Sequence, residues 1–143
     1  MPALRLWLAA FLAVALMTGT ASAETKVFKA TLSASSEVPP NDSKGTGTAT
    51  VRLNTATKKI TWSVTHKGLT GPVKAGHIHG PADPGANAGV AIPFAGSMKS
   101  PIRGSATVTD AQIADLEAGK DYVNLHTDAN KGGELRGQLE AAK

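Results

Sequence analysis

Three of the four histidines in this 143-residue chain fall in two short segments whose spacing suits metal chemistry. His77 and His79 flank Ile78 in an A-G-H-I-H-G-P run, and His126 ends a Y-V-N-L-H run. Residues two apart in a β-strand project from the same face, so the first pair points one way, about 7 Å apart at the backbone. With a third imidazole from a facing strand, they would form a three-nitrogen site that suits copper or zinc.

The residue types that the chain lacks narrow the chemistry further. It contains no cysteine, which excludes thiolate metal sites and cysteine nucleophiles. Met98 is the only methionine after residue 23, so a methionine-rich copper site is excluded as well. No nucleophile-elbow serine motif and no phosphate-binding glycine pattern is present. Imidazole and carboxylate remain as the metal-binding groups.

The first 23 residues have the pattern of a secretory signal peptide. Arg5 supplies a basic start, residues 6–17 form an apolar run, and residues 21–23 (A-S-A) form a cleavage site. The apolar run is shorter than the roughly 20 residues that span a bilayer. We therefore expect an exported domain, residues 24–143, in the periplasm or the medium, with no membrane span after cleavage.

The charge of the chain is weakly basic and scattered. The formal net charge is +4, and no block of lysine or arginine is long enough to indicate a nucleic-acid site. We expect no nucleic-acid partner and only a mild attraction for small anions.

Short alternations of apolar and polar residues, broken by Gly, Pro, Asn and Asp, fill the expected domain. This pattern predicts an all-β Greek-key sandwich or barrel of seven or eight antiparallel strands. Thr109 is the predicted N-cap of one short helix, Asp110 to Glu117, which ends at Gly119. The predicted strands are residues 26–35, 47–53, 59–67, 73–79, 89–94, 102–108, 120–127 and 134–139.

Strand parity predicts which side chains reach the metal. Ile78, Val123 and Leu125 are apolar and should face the core. The alternate positions should then share the outer face, where a metal could lie under a loop; they are His77, His79, Tyr122, Asn124 and His126.

The remaining histidine, His66, continues the core face of Ile60, Trp62 and Val64. We interpret it as a residue at the end of its strand. It stays an alternative ligand, because a bulge at residues 67–68 would reverse its direction.

Five motifs that follow one another in order carry a family resemblance. They are E-V-P-P (37–40), G-L-T-G (68–71), H-I-H-G-P-A (77–82), Y-V-N-L-H-T (122–127) and G-E-L-R-G-Q (133–138). Together they resemble the CHRD domain, a family named after chordin, and they cover essentially the whole of residues 24–143.

A second resemblance is more distant and bears on the chemistry. The G-L-T turn followed by G-H-I-H (76–79) is similar to the copper-strand segment of Cu,Zn-superoxide dismutase. That likeness implies a superoxide-dismutase-like Greek-key β-barrel, with His77, His79 and His126 as copper ligands. Arg136 would then guide an anion such as superoxide to the metal.

The chain departs from that dismutase in its loops. The segment after the H-I-H motif contains no histidine, and only Asp83 could nominally serve as a zinc ligand. We therefore expect no zinc site and no bridging imidazolate, and one copper ion per chain. Copper also leads the affinity order for imidazole ligands.

Three functions remain open from the sequence. The first is an exported copper-binding protein that holds, buffers or delivers one ion. The second is a copper-only superoxide dismutase-like redox enzyme with Arg136 attracting the anion. The third is a metal-free CHRD module that binds a protein partner or a surface polymer.

Overall fold

The computed structural model describes residue 16, residues 18–20 and residues 22–143. The predicted signal peptide lies almost wholly outside these residues. Within the described residues the fold consists of nine strands and one α-helix, and a short 3-10 turn, Ala34–Ser36, follows the first strand. The elements are β1 (Thr25–Ser33), β2 (Thr46–Asn54), β3 (Lys59–Lys67), β4 (Ala75–His79), β5 (Val90–Pro93), β6 (Ile102–Thr107), α1 (Asp110–Glu117), β7 (Tyr122–His126), β8 (Leu135–Gln138) and β9 (Glu140–Ala141).

The strands form one antiparallel sheet that curls into a nearly closed barrel. Their order is β5-β4-β7-β8-β1-β2-β3-β6, and the short β9 pairs with β1. The sheet has two halves, β5-β4-β7-β8 and β1-β2-β3-β6. Hairpins join β1 to β2, β2 to β3, β4 to β5 and β7 to β8, whereas the connections after β3, β5 and β6 cross from one half to the other. The predicted all-β Greek-key architecture is confirmed; the two-residue β9 exceeds the expected strand number.

The core follows from strand alternation in both halves of the barrel. Phe28, Val51, Trp62 and Ile78 are among the buried apolar residues that fill it. Trp62, in β3, stacks on Phe94, which directly follows β5, at 4.9 Å between ring centroids. This pair packs the two halves together on the side where β5 and β6 are the ends of the sheet.

Helix α1 begins and ends where the sequence predicts. The Thr109 side chain accepts from the Gln112 backbone N–H and the Gln112 side chain accepts from the Thr109 N–H, which is a capping box. The Gln112 side-chain amide also donates to the Ala91 carbonyl of β5. The helix therefore closes part of the open sheet edge. None of the described helices is long and apolar enough to cross a membrane.

A buried carboxylate connects three loops at one end of the barrel. Glu134 is fully buried and accepts hydrogen bonds from the backbone and side chain of Thr70. Its other donors are the hydroxyls of Ser43 and Thr127 and the amide of Asn130. Burial alone would raise the pKa of Glu134, but these donors outweigh it and lower the pKa to about 2.

The depressed pKa makes Glu134 a stabilising group above its unfolded pKa near 4.5. We expect Glu134→Gln to lower the free energy of unfolding at pH 6 by about 3 kcal/mol, because an amide cannot accept from all five donors. The parent should lose this advantage as the pH falls from about 5 towards 2. Urea unfolding at pH 6 and pH 3 measures it, with the exposed Glu140→Gln as control. Equal losses at both pH values would contradict the linkage.

Candidate metal centre

The neighbouring strands β4 and β7 bring three imidazoles together. The register pairs His79 with Tyr122, His77 with Asn124, and Ala75 with His126. His77, His79 and His126 each offer a ring nitrogen, and these atoms all lie within 4.8 Å of one another. Ile78, Val123 and Leu125 point into the core, as parity predicts. The three half-buried histidines therefore share the outer face.

Close packing behind β4 explains the glycine that directly precedes the H-I-H motif. A Cβ at Gly76 would lie 2.7 Å from a ring carbon of Phe94 and 3.0 Å from a Leu125 methyl. Only glycine lets β4 approach these core side chains. The strand, and with it His77 and His79, is fixed at this depth by that contact.

Two loops fix the outer nitrogens of two imidazoles. His79 Nδ1 lies 3.0 Å from the Ala88 carbonyl, and His126 Nδ1 lies 2.9 Å from the Lys131 carbonyl. A carbonyl only accepts, so both Nδ1 atoms carry the proton and both Nε2 atoms present a lone pair. Backbone carbonyls thus supply the orienting partners that metal-binding histidines normally have.

The inner nitrogens converge on one point. His77 Nδ1 lies 3.1 Å from His126 Nε2. His79 Nε2 is buried and has no hydrogen-bond partner among the described residues. A single proton can fill the gap between the first two atoms, but it leaves the third nitrogen unsatisfied, which is costly in a buried site.

This donor set fits a metal ion. Two nitrogens that bind one ion at about 2.0 Å each can be no more than about 4 Å apart. The 3.1 Å separation of His77 Nδ1 and His126 Nε2 meets that limit. His79 Nε2, which is buried without a protein partner in a group whose ligand atoms lie within 4.8 Å of one another, is the third nitrogen available to an ion.

The surroundings of His77 and His79 lower the pKa of both imidazoles. Burial lowers the pKa of His77, and the charges of His126 and His79 lower it further. Burial also lowers the pKa of His79, and the charges of His126 and Arg136 add to this effect, whereas the hydrogen bond to the Ala88 carbonyl opposes it. Neutral imidazole is the form that binds a metal.

A stacked column of side chains supports His79. Its ring is parallel to the Tyr122 ring within 5°, with 5.0 Å between centroids. The Arg136 guanidinium lies 3.5 Å from the centroid of the same Tyr122 ring. Because β7 lies between β4 and β8, the imidazole and the guanidinium approach Tyr122 from opposite sides. The Tyr122 hydroxyl bonds both the N–H and the carbonyl of Ala88, the residue that orients His79.

Arg136 lies beside the centre but is covered. It is 2% exposed and donates to the Asn87 side chain and the Asp83 carbonyl. Its guanidinium lies on the Tyr122 ring, which in turn stacks on His79. The structure thus places this predicted anion-guiding residue under cover beside the histidines, and its role in guidance stays a prediction.

His66 does not join the group. It ends β3 in the other half of the barrel, where its Nε2 lies 2.9 Å from the Met98 carbonyl. Its backbone N–H donates to Ser100. His66 therefore connects its strand end to residues 98–100.

Two residues expected to line the outer face are more deeply buried than parity alone indicates. Tyr122 and Asn124 project to that face but are only 3% exposed each, because loops cover them. Asn124 donates to the Glu37 carboxylate and to the Leu135 carbonyl. Gly133 has φ +127°, and a Cβ there would lie 2.5 Å from Asn124 Nδ2. Glycine is required at this position.

Sequence reasoning missed Glu37 as part of this region. It is 5% exposed in the loop that starts with E-V-P-P, and its only sequence signal is a carboxylate beside paired prolines. Burial raises the pKa of Glu37 to about 7, although Asn124 and Arg136 counteract this. The Lys131 and Ala88 carbonyls were also missed, because a backbone acceptor leaves no signature in residue types.

Comparison with known proteins gives one family. The family model described as the CHRD domain matches residues 28–139, and the resemblance expected from the five motifs is confirmed. No curated protein and no solved structure matches the chain. The likeness to Cu,Zn-superoxide dismutase therefore stays a resemblance.

The raised pKa of Glu37 predicts a stability change near neutral pH. A carboxyl that is protonated in the fold up to about pH 7, but ionises near 4.5 when unfolded, costs stability as the pH rises through this range. We expect Glu37→Gln, which keeps an acceptor for Asn124, to remove about 3 kcal/mol of the loss between pH 5 and pH 8. Chemical unfolding at both pH values measures this. Asp121, whose pKa burial also raises to about 7, should retain its own share. An unchanged pH slope in Glu37→Gln would contradict the prediction.

Proposed function

The chain belongs to the CHRD domain family, and we propose that it is an exported protein that binds one copper ion through His77, His79 and His126. The observation that carries the proposal is the convergence of three ring nitrogens, one of them buried without a partner. Export follows from the signal-like residues 1–23, and it removes the domain from cytosolic metal control.

Copper is favoured over other ions by the donor chemistry. The group contains imidazoles only, with no thiolate and no carboxylate. Neutral imidazole suits both zinc and copper, and copper has the higher affinity in the series of divalent metals. His77 would bind through Nδ1, and His79 and His126 through Nε2, because the other nitrogens of the last two face carbonyls.

Holding or delivering the ion is the activity that this arrangement supports best. The three histidines are only partly buried. The loops orient His79 and His126 through the backbone carbonyls of Ala88 and Lys131. Bound copper would supply a one-electron couple at this position. The protein contributes fixed imidazole directions, neutral ligands and a cover over Tyr122 and Asn124.

Superoxide dismutase-like turnover is the second candidate. Three protein ligands leave a coordination position free for a small anion, as catalytic metal sites require. The Arg136 guanidinium, however, is buried and contacts Tyr122, Asn87 and Asp83, which argues against efficient guidance of an anion to the metal. Copper holding therefore ranks first.

Copper titration of the protein and of single alanine variants tests the assignment. We expect one tightly bound Cu(II) with nitrogen hyperfine splitting in its EPR spectrum. His77→Ala, His79→Ala and His126→Ala should each weaken binding by more than about 100-fold, beyond what loss of an orienting partner costs.

His66→Ala is the matched control, since it removes an imidazole in the other half of the barrel. Its affinity should equal that of the parent. Weak, non-stoichiometric binding that none of the variants changes would overturn the metal proposal and favour the metal-free interaction module. Superoxide consumption by the copper-loaded parent separates turnover from holding.

The Tyr122 hydroxyl provides a finer test. Tyr122→Phe keeps the ring between His79 and Arg136 but removes both bonds to Ala88. We expect copper affinity to fall about tenfold and the EPR parameters to shift, because the carbonyl that orients His79 loses its support. Circular dichroism checks that the fold is retained. An affinity equal to that of the parent would show that the Ala88 carbonyl needs no help from this hydroxyl.

A further inference from the structure

The outer surface of strands β1, β2, β3 and β6 lies in the half of the barrel that does not carry the histidines. Strand alternation turns 18 side chains to this surface, and the pairing arranges them in five cross-strand rows. We call this surface the hydroxyl face. Its rows are Ser33–Thr46–Lys67, Thr31–Thr48–Thr65, Lys29–Thr50–Ser63–Arg103, Val27–Arg52–Thr61–Ser105 and Thr25–Asn54–Lys59–Thr107.

Charge on the hydroxyl face has one sign. Five of its residues are cations, and none is a carboxylate; the cations are Lys29, Arg52, Lys59, Lys67 and Arg103. Five positive charges exceed the net charge of the whole chain, +4. Within the part of the chain that the structure describes, no carboxylate lies at ion-pair distance from any of the five. Glu140 of β9, opposite Lys29, borders the face at one edge.

The rest of the face offers hydrogen bonds. Eleven of its members are threonine or serine, and the Thr48 and Thr65 hydroxyls lie 2.7 Å apart across β2 and β3. Arg52 and Arg103 flank a shallow depression of about 500 Å³, lined also by Thr50, Thr61 and Ser63. Guanidinium groups beside hydroxyls recognise carboxylate and sulfate groups.

The dimensions suit an extended chain. Alternate residues of a strand lie about 6.7 Å apart and neighbouring strands about 4.8 Å apart. Five rows on four strands therefore cover about 27 Å by 14 Å. A polymer that carries a repeated negative charge could contact several cations of the face at once, and such multiple contacts add up.

We propose that the hydroxyl face binds an acidic polysaccharide, one that carries carboxylate or sulfate groups. Charge complementarity selects an anionic partner, and the serine and threonine rows match the hydroxyls of a sugar chain. The face has no aromatic residue on which unpaired bases could stack, and it is the outer surface of a four-stranded sheet, with no projecting helix or two-stranded ribbon to enter a DNA groove. Its only apolar side chain is Val27, which gives a bilayer nothing to bury. A second copy of this face would repel it.

Binding of the purified protein to dextran sulfate, to polygalacturonate and to neutral dextran tests the proposal. We expect both acidic polymers to bind, with an affinity that falls as salt rises, and neutral dextran not to bind. Arg52→Gln combined with Arg103→Gln should weaken binding at least tenfold. The paired control, Lys74→Gln with Lys120→Gln, changes the net charge equally in the other half of the barrel and should change affinity less than twofold.

Three results would overturn the proposal. One is an absence of binding to either acidic polymer at low salt. Another is an equal loss in the two double variants, because the attraction would then follow net charge rather than this face. The third is tighter binding to duplex DNA or to vesicles of anionic lipid, with the same dependence on Arg52 and Arg103. His77→Ala should bind the polymers as the parent does, so this test stands apart from the copper site.

Discussion

The hydrogen bonds to the buried Glu134 carboxylate hold the loops beside the candidate metal centre in place. Its donors come from loops that are 91, 64 and 7 residues away along the chain. The Asn130 amide also binds it, and this residue belongs to the turn that presents the Lys131 carbonyl to His126. A buried anion without its donors would be strongly unfavourable. The loops are thus held in one arrangement, and the direction of the His126 ring follows from it.

On the other side of the centre a neutral side chain, Tyr122, holds the loop that orients His79. The Tyr122 ring lies between His79 and Arg136, and its hydroxyl fixes the Ala88 peptide. Neither His79 nor His126 is oriented by a carboxylate. The nearby Asp83 pairs with Lys120, and Asp128 pairs with Lys74. A carbonyl acceptor adds no negative charge to the centre. The orienting partners of His79 and His126 therefore place no negative charge that would repel a small anion.

Local rules account for much of the fold and of the site. The bounds of α1 follow from the Thr109 cap, and β3 follows from the Ile60–Trp62–Val64 alternation. The same two-residue period places His77, His79 and His126 on one face. Long-range contacts account for what the sequence did not predict. Burial of Tyr122 and Asn124 depends on loops that fold over them, and the set of donors to Glu134 depends on the topology.

One core carries two outer faces with different side chains, and each of the two proposed activities uses one of them. The histidines occupy β4 and β7, whereas the hydroxyl face occupies β1, β2, β3 and β6, on the other side of the shared core. Among the described residues, one register pair, Ser33 and Arg136, joins β1 to β8, and the short β9 adds two more pairs to β1. A polymer on one face would therefore leave the imidazoles accessible. Strand alternation points the histidines and the side chains of the hydroxyl face away from the core. The side chains of either face can therefore change without altering the packing that supports the other.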